Sequence, residues 1–276
     1  MPISFSCPHC GLETTVADRY AGQSGSCPRC GKPIVYPPPK PASKVAILIF
    51  VLAVALVVLV LWPPGVVIFP RTARRAQCQN NLKQIGLALL SYEQANGAFP
   101  PAAFTDDRGK PTISWRVAIL PYMEHSDIYR AFDVKQSWDS AKNRVPGNIH
   151  LEDFRCPSDP GTTAGSAETN YVRIVGKDTV GGMPNEAVKI SDITDGTSNT
   201  IMVAEVSGMH IHWAEPRDVT VDEFMELVAK GHASFHSGGF QAVFADGSVH
   251  FISNAVNPKT LRALLLRNDG QPVGEY

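Results

Sequence analysis

Cys78-Gln-Asn-Asn-Leu-Lys-Gln-Ile-Gly-Leu-Ala-Leu-Leu-Ser-Tyr92 is the stretch on which the reading of this chain turns. Cys78, Leu82, Ile85, Leu89 and Tyr92 recur at spacings of four, three, four and three, which lines one face of an α-helix with apolar side chains. The pattern predicts a helix from Thr72 to Asn96, with Gly97 as its C-terminal cap.

Downstream, residues 98 to 160 are rich in turn residues, with an apolar stretch from Trp115 to Met123 and a short helix expected after Ser126. Strand-like runs follow at Tyr171 to Val175, Thr200 to Val206 and His210 to Trp213, and Thr220 is placed to cap a helix over Val221 to Ala229. Gln241 to Ala245 and Ser248 to Ile252 flank Asp246-Gly247, the signature of a hairpin with a two-residue turn. That turn pairs Phe244 with Val249 and Ala242 with Phe251, putting these four on one apolar face and Val243 with His250 on the other. Asn257-Pro258 reads as cap and first turn of a last helix reaching Leu266.

Upstream, Val45 to Trp62 carries no charge. Its roughly 18 residues make about 27 Å of helix at about 1.5 Å per residue, near the thickness of a hydrocarbon core. A transmembrane helix over residues 45–62 is therefore expected. Pro37-Pro38-Pro39-Lys40-Pro41 opens a stiff linker, residues 37–44. Before it, in residues 1–36, Cys7-Pro-His-Cys10 and Cys27-Pro-Arg-Cys30 form two knuckles at the spacing of structural zinc sites, each followed by a glycine that permits a tight turn. Four thiolates around one Zn2+ close its coordination shell and leave no position for catalysis. Such a short segment also has too little apolar material to fold without a staple.

The chain has 25 Lys+Arg against 26 Asp+Glu, a balance that gives no reason to expect nucleic acid as partner. Flanking charge does not orient the expected span, because Lys40 and Lys44 precede it and Arg71, Arg74 and Arg75 follow it. Cysteine chemistry does: zinc thiolates persist in a reducing cytosol, whereas the pair Cys78 and Cys156 suits an oxidising compartment. A Cys78–Cys156 disulfide would add about 4 kcal/mol in the chain-entropy model. Two buried free thiols are the alternative.

Several separated motifs then carry a resemblance. Cys78 to Leu89, Gly97-Ala-Phe-Pro-Pro101, Ser114-Trp-Arg116, Leu120-Pro-Tyr122, Phe154-Arg-Cys-Pro-Ser-Asp159, Asp195-Gly-Thr-Ser-Asn-Thr200 and His236 followed by nine residues and Asp246-Gly247 resemble the bacterial family called domain of unknown function 1559. The N-terminal module likewise resembles the small zinc ribbons that precede anchors in many bacterial proteins. The resemblance covers about residues 72 to 256. It implies an α+β fold of pilin-like or type II secretion pseudopilin-like kind, with a long N-terminal helix leading into an extracytoplasmic domain, residues 72–276, built on an antiparallel sheet. It carries no enzymatic activity. The chain departs from the family in lacking the Gly-Phe-Thr-Leu-Ile-Glu leader junction, and Pro63-Pro64 breaks the continuous helix of pilins. The expectation is a permanently anchored relative in the bacterial cytoplasmic membrane, with a cytosolic N-terminus, an extracytoplasmic C-terminal domain, and protein partners on both sides of the lipid bilayer.

Candidate chemistry in the large domain is sparse. His210 and His212 would share a strand face, and His232 and His236 are four apart, but Ser237-Gly-Gly breaks the helix that this second spacing needs. No H-E-x-x-H, G-x-S-x-G or phosphate loop occurs. Asp192, Asp195, Asp246 and Asp269 sit beside turn residues, where bonds to backbone amides explain them. Related pseudopilins can bind calcium, which leaves a Ca2+ site among these aspartates as the alternative. His236, Asp246 and Gly247 read as structural. The expected function is binding or assembly, with a zinc-ribbon docking module. A metal-dependent envelope enzyme using His210, His212, His232 or His236, or a ligand-sensing receptor, are the competing readings.

Overall fold

A computed structural model describes residues 3–38, 50–54, 56, 70–161 and 165–276. The chain divides into two compact units, Met1–Val67 and Ile68–Tyr276. The first holds two antiparallel hairpins, β1 (Ile3–Ser6) with β2 (Glu13–Val16) and β3 (Ser24–Ser26) with β4 (Pro33–Val35). Cys7, Cys27 and Ile34 form its small core, with Phe5, Leu12 and Tyr36 packed around them.

The second unit opens with α1 (Pro70–Asn96), which buries Cys78, Leu82, Ile85 and Leu89 as their spacing predicts. Gly97 closes it at φ 77°, its N–H donating to Glu93 O at 2.7 Å. A small hairpin follows, β5 (Ala103–Thr105) with β6 (Pro111–Ser114), and then the short helices α2 (Trp115–Ile119), α3 (Ser126–Ala131) and α4 (Arg144–Gly147). The remaining elements are β7 (Glu168–Thr169), β8 (Tyr171–Val172), β9 (Ile174–Val175), β10 (Ile201–Glu205), β11 (Ile211–His212), β12 (Val219–Thr220), α5 (Val221–Ala229), β13 (Gly239–Phe244), β14 (Val249–Ser253) and α6 (Pro258–Leu265). The caps expected for α5 and α6 are present. Thr220 and Glu223 form a reciprocal capping box, and Asn257 Oδ1 accepts from Lys259 N at 2.9 Å.

The main sheet is antiparallel, in the order β14-β13-β10-β8. Both of its faces are buried. Helix α1 covers one with Leu82, Ile85 and Leu89 against Met202, Val203 and Val243. Helices α5 and α6 cover the other, where Phe224, Leu261 and Leu264 meet Phe240, Ala242, Phe244 and Ile252.

Two expectations need correction. Among the described residues no helix is long and apolar enough to cross a membrane, which overturns the fold class with a transmembrane helix and the single-pass membrane location. A span needs one unbroken apolar helix of about 20 residues. The longest helix here begins after Pro63-Pro64 and displays Arg71, Arg74 and Arg75 on its surface. The expected span 45–62 lies outside the described residues except for 50–54 and 56, as do residues 39–44 of the linker.

The hairpin register also differs by one residue. Val243 pairs with Val249, Ala242 with His250 and Gln241 with Phe251, because the turn holds three residues, Ala245, Asp246 and Gly247. Gly247 N donates to Phe244 O at 2.8 Å and Phe244 N to Ser248 O at 2.9 Å, while Gly247 adopts φ 81°. This is a turn closed by a left-handed bulge residue, and the added residue exchanges the faces. Val243 and Val249 turn toward α1, and Ala242 and Phe244 toward the second core.

Helix α1 lies close against the sheet at Gly86, where a Cβ would lie 2.6 Å from Val243 Cγ2. Val243 is stiff at χ1 and cannot yield cheaply. Gly86→Leu is therefore expected to destabilise the full chain by about 1–3 kcal/mol in urea unfolding. Val243→Ala added to it should recover part of that loss. A Gly86→Leu chain as stable as the parent would refute the close contact.

Candidate functional site

Among the described residues, two groups of side chains bring four potential metal donors within 4.8 Å of one another. The first is Cys7, Cys10, Cys27 and Cys30. Each knuckle follows a strand and is built alike: Gly11 N donates to Cys7 O and Gly31 N to Cys27 O, with both glycines at positive φ, 67° and 73°. The knuckles face each other with Cys7 Sγ 3.9 Å from Cys30 Sγ and Cys10 Sγ 3.7 Å from Cys27 Sγ. Backbone N–H groups of Cys30 and Arg29 pull the Cys27 thiol down to about 6.

The second group joins Cys78, Cys156, Glu205 and His236, and each comes from a different element. Cys78 lies on the buried stripe of α1, and Cys156 follows the turn Glu152–Phe154, with its N–H donating to Asn170 Oδ1 at 2.8 Å. Glu205 ends β10 at 1% exposure. Its Oε2 accepts from Gln241 N at 2.9 Å and Ser234 Oγ at 3.0 Å. Its Oε1 accepts no hydrogen bond and faces His236 Nε2 at 3.4 Å. The same Nε2 lies 3.5 Å from Cys156 Sγ, and the two sulfurs are 2.7 Å apart. Contact with Cys78 draws the Cys156 thiol down to about 6 and pushes Cys78 up. Burial works against a charged His236, yet Cys156 and Glu205 beside it raise it to about 9.

Sequence reasoning paired the cysteines and singled out His236, but it missed Glu205. The signal was available: Ile201-Met-Val-Ala-Glu-Val206 is apolar at every other position, so the one carboxylate enters a buried strand.

His236 also edges an open cleft of about 680 Å³. Arg71, Arg74 and Arg75 from α1 line it, together with the hydroxyls of Thr72, Ser158, Ser234 and Ser237, and none of its lining residues is acidic. Arg75 stacks over the Phe251 ring at 3.6 Å.

The other histidines are dispersed. His210 is exposed and pairs with Glu168 at 3.2 Å, and His232 is exposed. His212 is wedged between Trp138 and Trp213, with ring centroids at 4.7 and 6.0 Å. The aspartates serve backbone amides. Asp246 accepts from Ser248 N, Asp192 from Lys189 N, Asp195 from Asp269 N and Gly270 N, and Asp269 from Gln271 N. Neither metal-capable group among the described residues includes them.

A protein-family model with the description "Protein of unknown function (DUF1559)" matches residues 71–225. No curated protein and no solved structure matches the chain.

The wedged imidazole sets a pH response. Burial pulls His212 from its ordinary 6.5 down to about 4, and Ala214 N donates to its Nδ1 at 3.1 Å. The unfolded chain then binds the proton more readily, so stability is present above about 6.5 and is lost as pH falls toward 4. His212→Asn keeps an acceptor for Ala214 N but does not titrate. It should flatten the fall of the urea midpoint across that window, and an unchanged pH slope would remove His212 as its source.

Proposed function

The chain belongs to the family described as Protein of unknown function (DUF1559), which assigns no reaction, and from that premise we propose that it is a non-enzymatic binding and assembly protein. In this reading the cleft of the large domain takes an acidic segment of a protein partner, and the N-terminal module is a docking unit held by Zn2+. One observation carries it: Arg71, Arg74, Arg75 and His236 converge on one cleft without an opposing carboxylate among the lining residues. Guanidinium forks match carboxylates in geometry as well as charge, and a concave wall of one sign concentrates the field. A volume of about 680 Å³ is in the range of binding clefts. The long helix α1 laid along an antiparallel sheet supports the pilin-like part of the reading.

The dispersal of His210, His212 and His232 speaks against the enzyme reading. Catalysis needs groups that meet at one reacting atom, and these three occupy separate surroundings. The knuckle cysteines fit zinc as a structural ion. A tetrahedral shell with Zn–S bonds of about 2.3 Å spaces its sulfurs by roughly 3.8 Å. The separations of 3.7 and 3.9 Å agree with that edge. Cys7, Cys10, Cys27 and Cys30 would hold the ion, whose part is to replace the apolar core that this short module lacks.

Both parts can be tested on the full chain. A fluorescent oligoglutamate peptide should bind by anisotropy, more weakly as salt rises, and Arg71→Glu with Arg74→Glu and Arg75→Glu should weaken it at least about tenfold, or 1.4 kcal/mol. Equal affinity in parent and variant would sink the cleft reading. Cys7→Ser with Cys10→Ser should lose amide-exchange protection in β1 to β4 while leaving peptide affinity intact. A module that keeps its protection would remove zinc as its staple.

A further inference from the structure

We infer that Cys78, Cys156, Glu205 and His236 form a second metal site, for an ion of the zinc class, separate from the N-terminal knuckles. The donor set of two sulfurs, one imidazole and one carboxylate suits Zn2+. With bonds of about 2.3 Å to sulfur and 2.0–2.1 Å to nitrogen or oxygen, a tetrahedral shell has edges of roughly 3.6 Å between S and N and 3.3 Å between N and O. Here Cys156 Sγ to His236 Nε2 is 3.5 Å and His236 Nε2 to Glu205 Oε1 is 3.4 Å. The sulfur pair, at 2.7 Å, is the edge that must open, by about 1 Å, to reach the roughly 3.8 Å of two thiolates on one ion.

The surroundings are those of a ligand shell. Gln241 N and Ser234 Oγ hold one oxygen of Glu205, which aims the other, without a hydrogen bond, at the cluster. Ser234 Oγ also accepts from His236 N at 3.0 Å, so one hydroxyl orients both donors. Asn170 fixes Cys156 through its backbone, and Tyr171 OH donates to the neighbouring Arg155 O at 3.2 Å. Outer partners of this kind set the direction of metal ligands. A carboxylate buried to 1% exposure is costly unless an opposite charge meets it, and a divalent ion supplies that charge more fully than one imidazole.

Binding releases two protons, one from Cys78 and one held by the Cys156–His236 pair, and leaves thiolates on Cys78 and Cys156 with the Nε2 lone pair of His236 and Oε1 of Glu205 completing the shell. Two thiolates and a carboxylate against a divalent ion sum to one negative charge. His236 is shared with the cleft that carries Arg71, Arg74 and Arg75, which offsets that charge. Four protein donors leave no open position, so the ion ties α1, the segment after Phe154, β10 and the approach to β13 together without catalysing a reaction. The site shares His236 with that cleft, but it rests on its own donor geometry and not on the acidic-partner reading.

The full chain with Cys7→Ser and Cys10→Ser, purified under reductant, isolates the second site. It should retain one zinc per chain by native mass spectrometry, and adding Glu205→Gln or His236→Ala should cut zinc affinity at least about tenfold. Co2+ added to the metal-free chain should give the visible bands of a tetrahedral ion with thiolate charge transfer, a readout that needs no change at the site. Three results would overturn the inference: a parallel preparation without reductant that holds no zinc and whose Cys78 and Cys156 resist alkylation until reduced, which makes them a disulfide; absence of the tetrahedral cobalt bands; or zinc retained undiminished in both added variants.

Discussion

Everything at the candidate site depends on how α1 lies on the sheet. Gly86 allows the helix backbone to approach Val243, where any side chain would hold the two layers apart. Polar contacts then fix the rotation of the helix. Lys83 Nζ donates to Gly247 O at 2.7 Å, Gln241 Nε2 to Arg75 O at 2.7 Å, and Asn81 Nδ2 to both Glu152 O and Arg155 O. These reach the hairpin turn, the strand before it and the segment that carries Cys156. With axial rotation and height both set, Cys78 faces Cys156, and Arg71, Arg74 and Arg75 arrive at one end of the sheet beside His236.

The interior holds several charged side chains, Arg116, Arg173 and Glu205 among them. Arg116 is fully buried and pairs with Asp218 at 2.7 Å, while donating to Tyr171 O through Nε and Nη2. Trp115 Nε1 and Arg173 N donate to the same carboxylate. Burial pushes Asp218 up and Arg116 down, and their mutual attraction opposes both shifts. Such pairs cost nearly as much to desolvate as they return, but removing one partner strands the other, so they specify one arrangement more than they add stability. The knot joins α2, the β8 to β9 segment and the approach to β12. Arg173, whose backbone serves Asp218, interrupts the run Tyr171 to Val175 between β8 and β9. Glu205, the cross-strand partner of Tyr171, presents the same problem, and there the groups that meet it are sulfur and imidazole.

Periodicity and capping chemistry are local, and they were legible. The stripe on α1, the Thr220 cap, Asn257-Pro258 and the two knuckles each place their chemistry within a few residues, and each formed where the spacing put it. The apolar run 45–62 shows the limit of that logic. Composition states a preference for apolar surroundings, whereas a span requires an unbroken helix, and none of the needed length and apolarity stands among the described residues. The hairpin failed for a related reason. Asp246-Gly247 marks a turn equally well with two or three residues in the loop, and one residue decides which face of each strand meets α1.

The sequence by itself determined the α+β class, the long amphipathic helix, the four-cysteine module and the family, because these rest on side-chain identity at fixed short spacings. Tertiary structure alone decided that Glu205 and His236 join Cys156 and that Asp218 meets Arg116. Glu205 and His236 are 31 residues apart and Asp218 follows Arg116 by 102, as their contacts record. No local period encodes such distances. They come into register only when burial of both sheet faces selects one strand order and one helix rotation, since that packing leaves each buried charge a single place where its partner stands.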